Sequence, residues 1–134
     1  MKKQHILVVD DEKNMLITLE YILEVNNYKV TLANNAYDAL KLLVHYIQTG
    51  EQVDLLITDV QMSGMNGFDL IEAIKNLRIF LPVVIITTFG RKEYPHILTP
   101  VSYYEYLEKP FDDMELLKRV SNLLTPQVMV HHQQ

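Results

Sequence analysis

The amino-acid sequence predicts a doubly wound α/β fold, in which a five-stranded parallel sheet carries helices on both faces. The pattern of apolar residues leads to this fold class. Short apolar runs, such as residues 6–9 and 55–57, alternate along the chain with stretches whose apolar residues recur every three or four positions. Strands separated by helices of about ten residues are typically parallel and joined by right-handed crossovers. In open sheets of this kind, ligands bind beyond the carboxyl ends of the strands.

Length and composition narrow the possible functions. The 134 residues fit one domain, which we expect at residues 1–125, with 126–134 as a tail or the start of a linker. The lack of cysteine excludes thiol catalysis, thiolate zinc sites and disulfides, and is compatible with the cytoplasmic location that we expect. A net charge of -5 argues against direct nucleic-acid binding. No apolar run approaches the roughly 20 residues that span a bilayer, so we expect no membrane contact.

The first half of the chain predicts two strands and two helices. Residues 6–9 form the first strand, and residues 28–32, where apolar and polar residues alternate, form a second strand nearer the edge of the sheet. Asn26 and Asn27 end the first helix, and Asn35 is predicted to cap the second. The buried faces predicted for these helices are Met15, Leu16, Leu19, Ile22 and Leu23 in the first, and Ala36, Ala39, Leu40, Leu43 and Ile47 in the second.

The second half continues the same alternation. The third strand ends at Asp59, and Gly64 and Gly67 mark a sharp turn after it. Further strands are predicted at residues 83–86 and 103–107. The buried face predicted for the helix after the third strand is Leu70, Ile71, Ile74 and Leu77. The helix after the fifth strand is predicted to be capped by Asp112 or Asp113. Its predicted buried face is Met114, Leu117, Val120 and Leu124.

Four of the five predicted strands end in residues with distinctive chemistry. The sheet would bring these residues to one edge, and they are Asp10 and Asp11, Asp59, Thr87 and Lys109. Singly, each has an ordinary explanation, since acids cap helices and lysines lie in solvent. Together they indicate a cation-binding site, because carboxylates that lie close together either raise the pKa of one of them or recruit a cation. The ligands would be oxygens, without Cys or His, and such a set favours Mg2+ over zinc. A lysine and a hydroxyl suit phosphoryl oxygens, and one carboxylate is free to attack phosphorus.

With these motifs the chain resembles the receiver domain of two-component response regulators over about residues 4–125. The matching sequences are V-V-D-D at the end of the first strand, T-D-V-Q-M-S-G-M-N-G from Thr58, I-I-T-T at the end of the fourth strand and K-P-F from Lys109. The resemblance implies a flavodoxin-like sheet with strand order 2-1-3-4-5 and a cis peptide bond between Lys109 and Pro110.

The resemblance also implies the chemistry of the site. Asp59 would be the phosphoacceptor, taking a phosphoryl group from the phosphohistidine of a sensor histidine kinase or from a small phosphodonor. Mg2+ would be held directly by Asp11 and Asp59 and through water by Asp10, together with the backbone carbonyl of Gln61. Receivers of this kind are signalling modules that slowly lose the phosphoryl group, rather than turnover enzymes.

The remaining implied roles concern switching. Lys109 would pair with Asp59 and then with the phosphate, Thr87 would move to bond a phosphoryl oxygen, and Tyr106 would be the aromatic that then swings inward. The altered face would bind a partner protein or an output domain, or form a homodimer.

Three features of the sequence depart from the family pattern or modify it. Ser63 stands where the family usually has proline, and we expect a small effect because the glycines of the turn keep its geometry. Residues 91–102 contain two prolines, which limit any helix there to roughly two turns. Phe89 is expected to shield the phosphate from water and slow its loss.

Three other functions compete with a phosphoacceptor. A degenerate receiver that only binds proteins is disfavoured because no site residue is missing. A phosphohydrolase with an aspartyl nucleophile would carry a D-x-D pattern on the first strand, whereas residue 12 is Glu and the Lys109-Pro110 pair fits a receiver better. A nucleotide or flavin binder would have a Gly-rich loop after the first strand, which this chain lacks.

Overall fold

The structure is a computed structural model that describes residues 2–88 and 104–125. The strands within these residues are His5–Val9 (β1), Lys29–Ala33 (β2), Leu55–Asp59 (β3), Val83–Thr87 (β4) and Tyr104–Glu108 (β5). The helices are Lys13–Val25 (α1), Ala36–Thr49 (α2), Gly67–Asn76 (α3) and Asp113–Leu124 (α4). All strand pairs are parallel, in the order β2-β1-β3-β4-β5. This confirms the predicted fold class, the strand order and the edge position of the second strand.

Four predictions fall outside the described residues and stay predictions. They concern the shielding role of Phe89, the short helix in residues 91–102, the start of the last strand at Tyr103 and the tail at residues 126–134.

The central strands are buried because helices cover both faces of the sheet. Every residue of β1, β3 and β4 is buried, as expected for continuous apolar runs. Helices α1 and α4 pack on one face, and α2 and α3 pack on the other. In the described part of the chain, no helix is both long and apolar enough to cross a membrane.

Polar residues end the helices near the predicted positions. Helix α1 ends at Val25 with Asn26 as its C-cap, and Asn27 takes a left-handed conformation with φ of 73°. Asn35 accepts a 2.8 Å hydrogen bond from an amide in the first turn of α2. Asp112, rather than Asp113, caps α4. These caps lie where the helices join the loops.

Three residues predicted to be buried are exposed instead. Met114 is 75% exposed, because it lies about 200° around α4 from Leu116, which is fully buried. Ile47 is 57% exposed, because the 14-residue α2, about 21 Å long, extends past five-residue strands of about 17 Å. Leu77 is 50% exposed, because α3 ends one residue before it. All three errors lie in the first or last turn of a helix, or just beyond it.

Candidate functional site

The carboxyl ends of the strands bring the predicted site residues to one edge of the sheet. Asp59 is the last residue of β3, which pairs with β1 on one side and β4 on the other. Asp10 follows β1, and its amide bonds the carbonyl of the last residue of β2 at 3.2 Å. Lys109 follows β5, its amide donates to the Thr87 carbonyl at 2.9 Å, and its bond to Pro110 is cis, as predicted. Backbone hydrogen bonds therefore continue past the strands and hold the site loops in place.

Asp59 and Lys109 form an ion pair at the centre of this edge. Lys109 Nζ lies 2.8 Å from Oδ2 of Asp59, which is buried. The other oxygen, Oδ1, accepts a 3.2 Å hydrogen bond from the amide of Gln61. Burial alone lowers the pKa of Lys109, but the hydrogen bond and charge of Asp59, with the charges of Asp10 and Glu12, outweigh it and raise that pKa. Lys109 is therefore cationic at neutral pH.

Asp10 has a buried carboxyl group whose two oxygens differ in their hydrogen bonding. It is 1% exposed, and its Oδ1 accepts a 2.9 Å hydrogen bond from the amide of Glu12. Its Oδ2 is buried and has no hydrogen-bond partner among the described residues. Burial, with the negative charges of Asp59 and Asp11, raises the pKa of Asp10 to about 6, although the Glu12 amide and Lys109 act in the opposite direction. A buried oxygen without a partner is costly unless a ligand binds it.

Asp11 is exposed, and its carboxylate bonds the loop that follows β3. Oδ2 of Asp11 accepts a 2.9 Å hydrogen bond from the amide of Ser63. Across residues 2–88 and 104–125, no three acidic or histidine side chains form a ready-made metal centre. The carboxylate and carbonyl oxygens at this edge still suit Mg2+, because this ion prefers oxygen ligands and needs only one or two carboxylates besides water. The free Oδ2 of Asp10 is the feature that fits a bound cation best.

A tight turn places α3 directly against the end of β3. Gly64 has a φ of +77°, as expected from the predicted turn. Gly67 is required for a different reason, because a Cβ there would lie 2.3 Å from the carbonyl oxygen of Asp59. Asn66 caps α3 in a reciprocal arrangement with Asp69. The N-x-x-D spacing could have predicted this cap, but nothing in the sequence besides the glycine itself indicates the close approach at Gly67.

The two predicted switch residues lie on β4 and β5. Thr87 is the last residue of β4 and is buried. Tyr106 on β5 is half-buried and packs against the core beneath α2 and α3. Its ring meets that of Tyr104 edge-to-face, with the ring centres 5.8 Å apart. Their roles in switching stay a prediction.

One family of proteins matches this chain over most of its length. Residues 6–121 match the family described as the response regulator receiver domain. The chain belongs to this family. The match runs from the second residue of β1 into α4 and includes the predicted site residues, so it confirms the resemblance predicted from the motifs. Receiver domains of response regulators are signalling modules and not turnover enzymes.

Relatives and solved structures agree with this assignment. The receiver domain is 29% identical to the response regulator SaeR of Staphylococcus aureus over 129 residues, which cover 96% of this chain and 54% of SaeR. The chain thus spans about half the length of the curated relatives it matches. The chemotaxis protein CheY4 of Vibrio cholerae superposes with a TM-score of 0.79 at 26% identity, covering 92% of this chain and 100% of CheY4. A receiver domain protein from Clostridium thermocellum has a TM-score of 0.77 at 26% identity, covering 90% and 94% of the two chains.

Proposed function

We propose that this receiver is activated by phosphorylation, with Asp59 accepting a phosphoryl group in a Mg2+-dependent reaction. The observation that carries the proposal is the 2.8 Å ion pair between Asp59 and Lys109 at the carboxyl edge of the sheet. The lysine orients the buried carboxylate and is already placed to stabilise the charge of an incoming phosphoryl group.

The transfer uses groups that lie at this edge. One carboxylate oxygen of Asp59 forms the new O–P bond while the P–N bond of a phosphohistidine, or the P–O bond of a small phosphodonor, breaks. The donor group leaves with the bonding electrons. Lys109 then bonds a phosphoryl oxygen, and the Thr87 hydroxyl supplies a second donor. Later attack of water on phosphorus restores the Asp59 carboxylate and releases inorganic phosphate, which is the slow self-dephosphorylation.

Mg2+ would be held by Asp10, Asp11 and Asp59, with the backbone carbonyl of Gln61. Asp10 offers a buried oxygen that has no partner in the described part of the chain. When bound, Mg2+ supplies positive charge to the phosphoryl oxygens. The single charge of Lys109 does not balance three carboxylates, so addition of an anionic phosphoryl group calls for a further cation.

The phosphoryl group adds negative charge and acceptor oxygens beside Lys109 and Thr87. Thr87 moves to bond it, and Tyr106 moves inward, which changes the surface that a downstream protein, an output domain or a second copy recognises.

Membership of the receiver family supports a sensor histidine kinase as the donor, with the reaction in the cytoplasm. We assign the receiver to residues 1–125.

Intact mass spectrometry tests the proposal. The chain is incubated with a small phosphodonor in the presence of Mg2+ or of EDTA. We expect one added phosphoryl group with Mg2+, little with EDTA, and none in Asp59→Asn. Asp38→Asn, which removes an exposed carboxylate on α2, serves as the control and keeps the adduct. The proposal fails if the native chain takes up no phosphoryl group or if Asp59→Asn takes up as much as the native chain.

A further inference from the structure

The backbone amide of Ser63 joins two loops of the candidate site. It donates a 2.9 Å hydrogen bond to Oδ2 of Asp11, a residue 52 positions away in the sequence. The donor belongs to the backbone, so every residue except proline could supply it at this position. This bond ties the loop after β3 to the loop after β1.

The acidic side chains of this edge have different partners. Asp59 is paired with Lys109, and Oδ2 of Asp10 is buried without a partner among the described residues. Asp11 is the third carboxylate, and its Oδ2 bonds Ser63. This arrangement agrees with the finding that no three acidic or histidine side chains in residues 2–88 and 104–125 form a ready-made metal centre.

We propose that the Ser63 amide is a latch, which holds Asp11 against the loop after β3 and which Mg2+ has to displace when it binds. The inference rests on the proposed Mg2+ site and makes Ser63 a positioning residue that acts through Asp11. The latch stabilises the metal-free protein and therefore weakens Mg2+ binding. Loss of one such exposed hydrogen bond would change the dissociation constant for Mg2+ by about fivefold.

Two substitutions at one position separate the amide from the side chain. Ser63→Pro removes the N–H, whereas Ser63→Ala keeps the N–H and removes only the hydroxyl. Mg2+ affinity is measured by titration, following backbone amide signals in NMR spectra. We expect Ser63→Pro to bind Mg2+ about fivefold more tightly than the native chain, and Ser63→Ala to bind it with native affinity.

The native chain provides a second readout that needs no variant. The Ser63 amide is expected to be protected from hydrogen exchange in EDTA and to lose protection when Mg2+ saturates the protein. An amide that keeps its protection contradicts the latch, and this result decides the question if Ser63→Pro does not fold.

The remaining outcomes are also decisive. Unchanged or weaker Mg2+ binding by Ser63→Pro overturns the latch, and so does an equal gain in both variants, which would assign the effect to the hydroxyl. Phosphoryl uptake is measured on the same samples by intact mass. If phosphoryl uptake is normal but the tests contradict the latch, the proposed function still holds. If the native chain neither binds Mg2+ nor takes up a phosphoryl group, both proposals fail.

Discussion

The two ends of β1 carry buried titratable side chains that differ in how completely they are hydrogen-bonded. His5, at the start, is 2% exposed, with Nδ1 3.2 Å from the Gln52 carbonyl and Nε2 2.7 Å from the Thr31 hydroxyl. Its backbone amide also donates to Asp54 at 2.7 Å. Asp10, just past the other end, is buried to the same degree, but its Oδ2 has no partner in the described part of the chain.

This difference separates the amino ends of the strands, whose side chains hold the fold together, from the carboxyl ends, whose side chains are suited to a ligand. At the amino edge, where the strands begin, Glu51 lies 3.3 Å from His5 and also bonds Lys29. At the carboxyl edge, Lys109 faces more carboxylates than it can neutralise. Stability alone would favour a partner for every buried oxygen, so the incomplete bonding of Asp10 indicates a binding role.

Removing the lysine of each edge gives the largest contrast that we expect. Lys109→Met deletes the donor that faces the acceptor carboxylate, and phosphoryl uptake from a small phosphodonor should slow about 100-fold. Lys29→Met breaks an ion pair on the surface and should leave the rate unchanged. A time course of intact mass measures both rates. Similar rates for the two variants would show that the ion pair at the carboxyl edge has no catalytic role.

A glycine substitution at each edge tests how closely each is packed. Gly67→Ala forces α3 away from the Asp59 carbonyl, so we expect a loss of about 1–3 kcal/mol in the free energy of unfolding and slower phosphoryl uptake. Gly50, after α2, has a φ of +83°, and a Cβ added there would meet no atom within 4 Å, so Gly50→Ala should cost only about 1 kcal/mol and leave uptake normal. Urea unfolding measures both costs. Normal uptake by Gly67→Ala would contradict the close coupling of α3 to the acceptor.

The pH dependence of stability should have opposite signs at the two edges. Burial lowers the pKa of His5, so its contribution to stability is present above its unfolded value and is lost as pH falls. Burial raises the pKa of Asp10 from 3.8 to about 6, so its contribution is present at low pH and is lost as pH rises through about 6. In EDTA, Asp10→Asn should therefore raise the free energy of unfolding at neutral pH by about 1 kcal/mol relative to the native chain.

The control for that measurement is His5→Gln. It should flatten the loss of stability on acidification, whatever its effect on stability at neutral pH. Urea unfolding between about pH 5 and about pH 7 gives the slopes, since His titrates in this range. Slopes that match the native chain in both variants would contradict the contrast between the edges.

Much of the fold and the meeting of the site residues could be predicted from the sequence. Apolar periodicity is a local signal, and the parallel topology then requires residues such as Asp59 and Lys109 to meet at one edge. The bond from Ser63 to Asp11 and the approach of Gly67 to Asp59 could not be predicted, because they depend on how two loops come together in space. The exposure of Met114 shows the same limit, since the rotation of α4 against the sheet decides which face is buried, and that rotation depends on packing in three dimensions.

The central claim is that Asp59 itself accepts the phosphoryl group. The most direct test is to phosphorylate the chain with a small phosphodonor and Mg2+, reduce it with borohydride, which converts an aspartyl phosphate to homoserine, and map the product by peptide mass spectrometry. We predict homoserine at position 59, and none when the phosphodonor or Mg2+ is omitted. Homoserine at Asp10 or Asp11, or a phosphoryl group that resists reduction, would contradict the account.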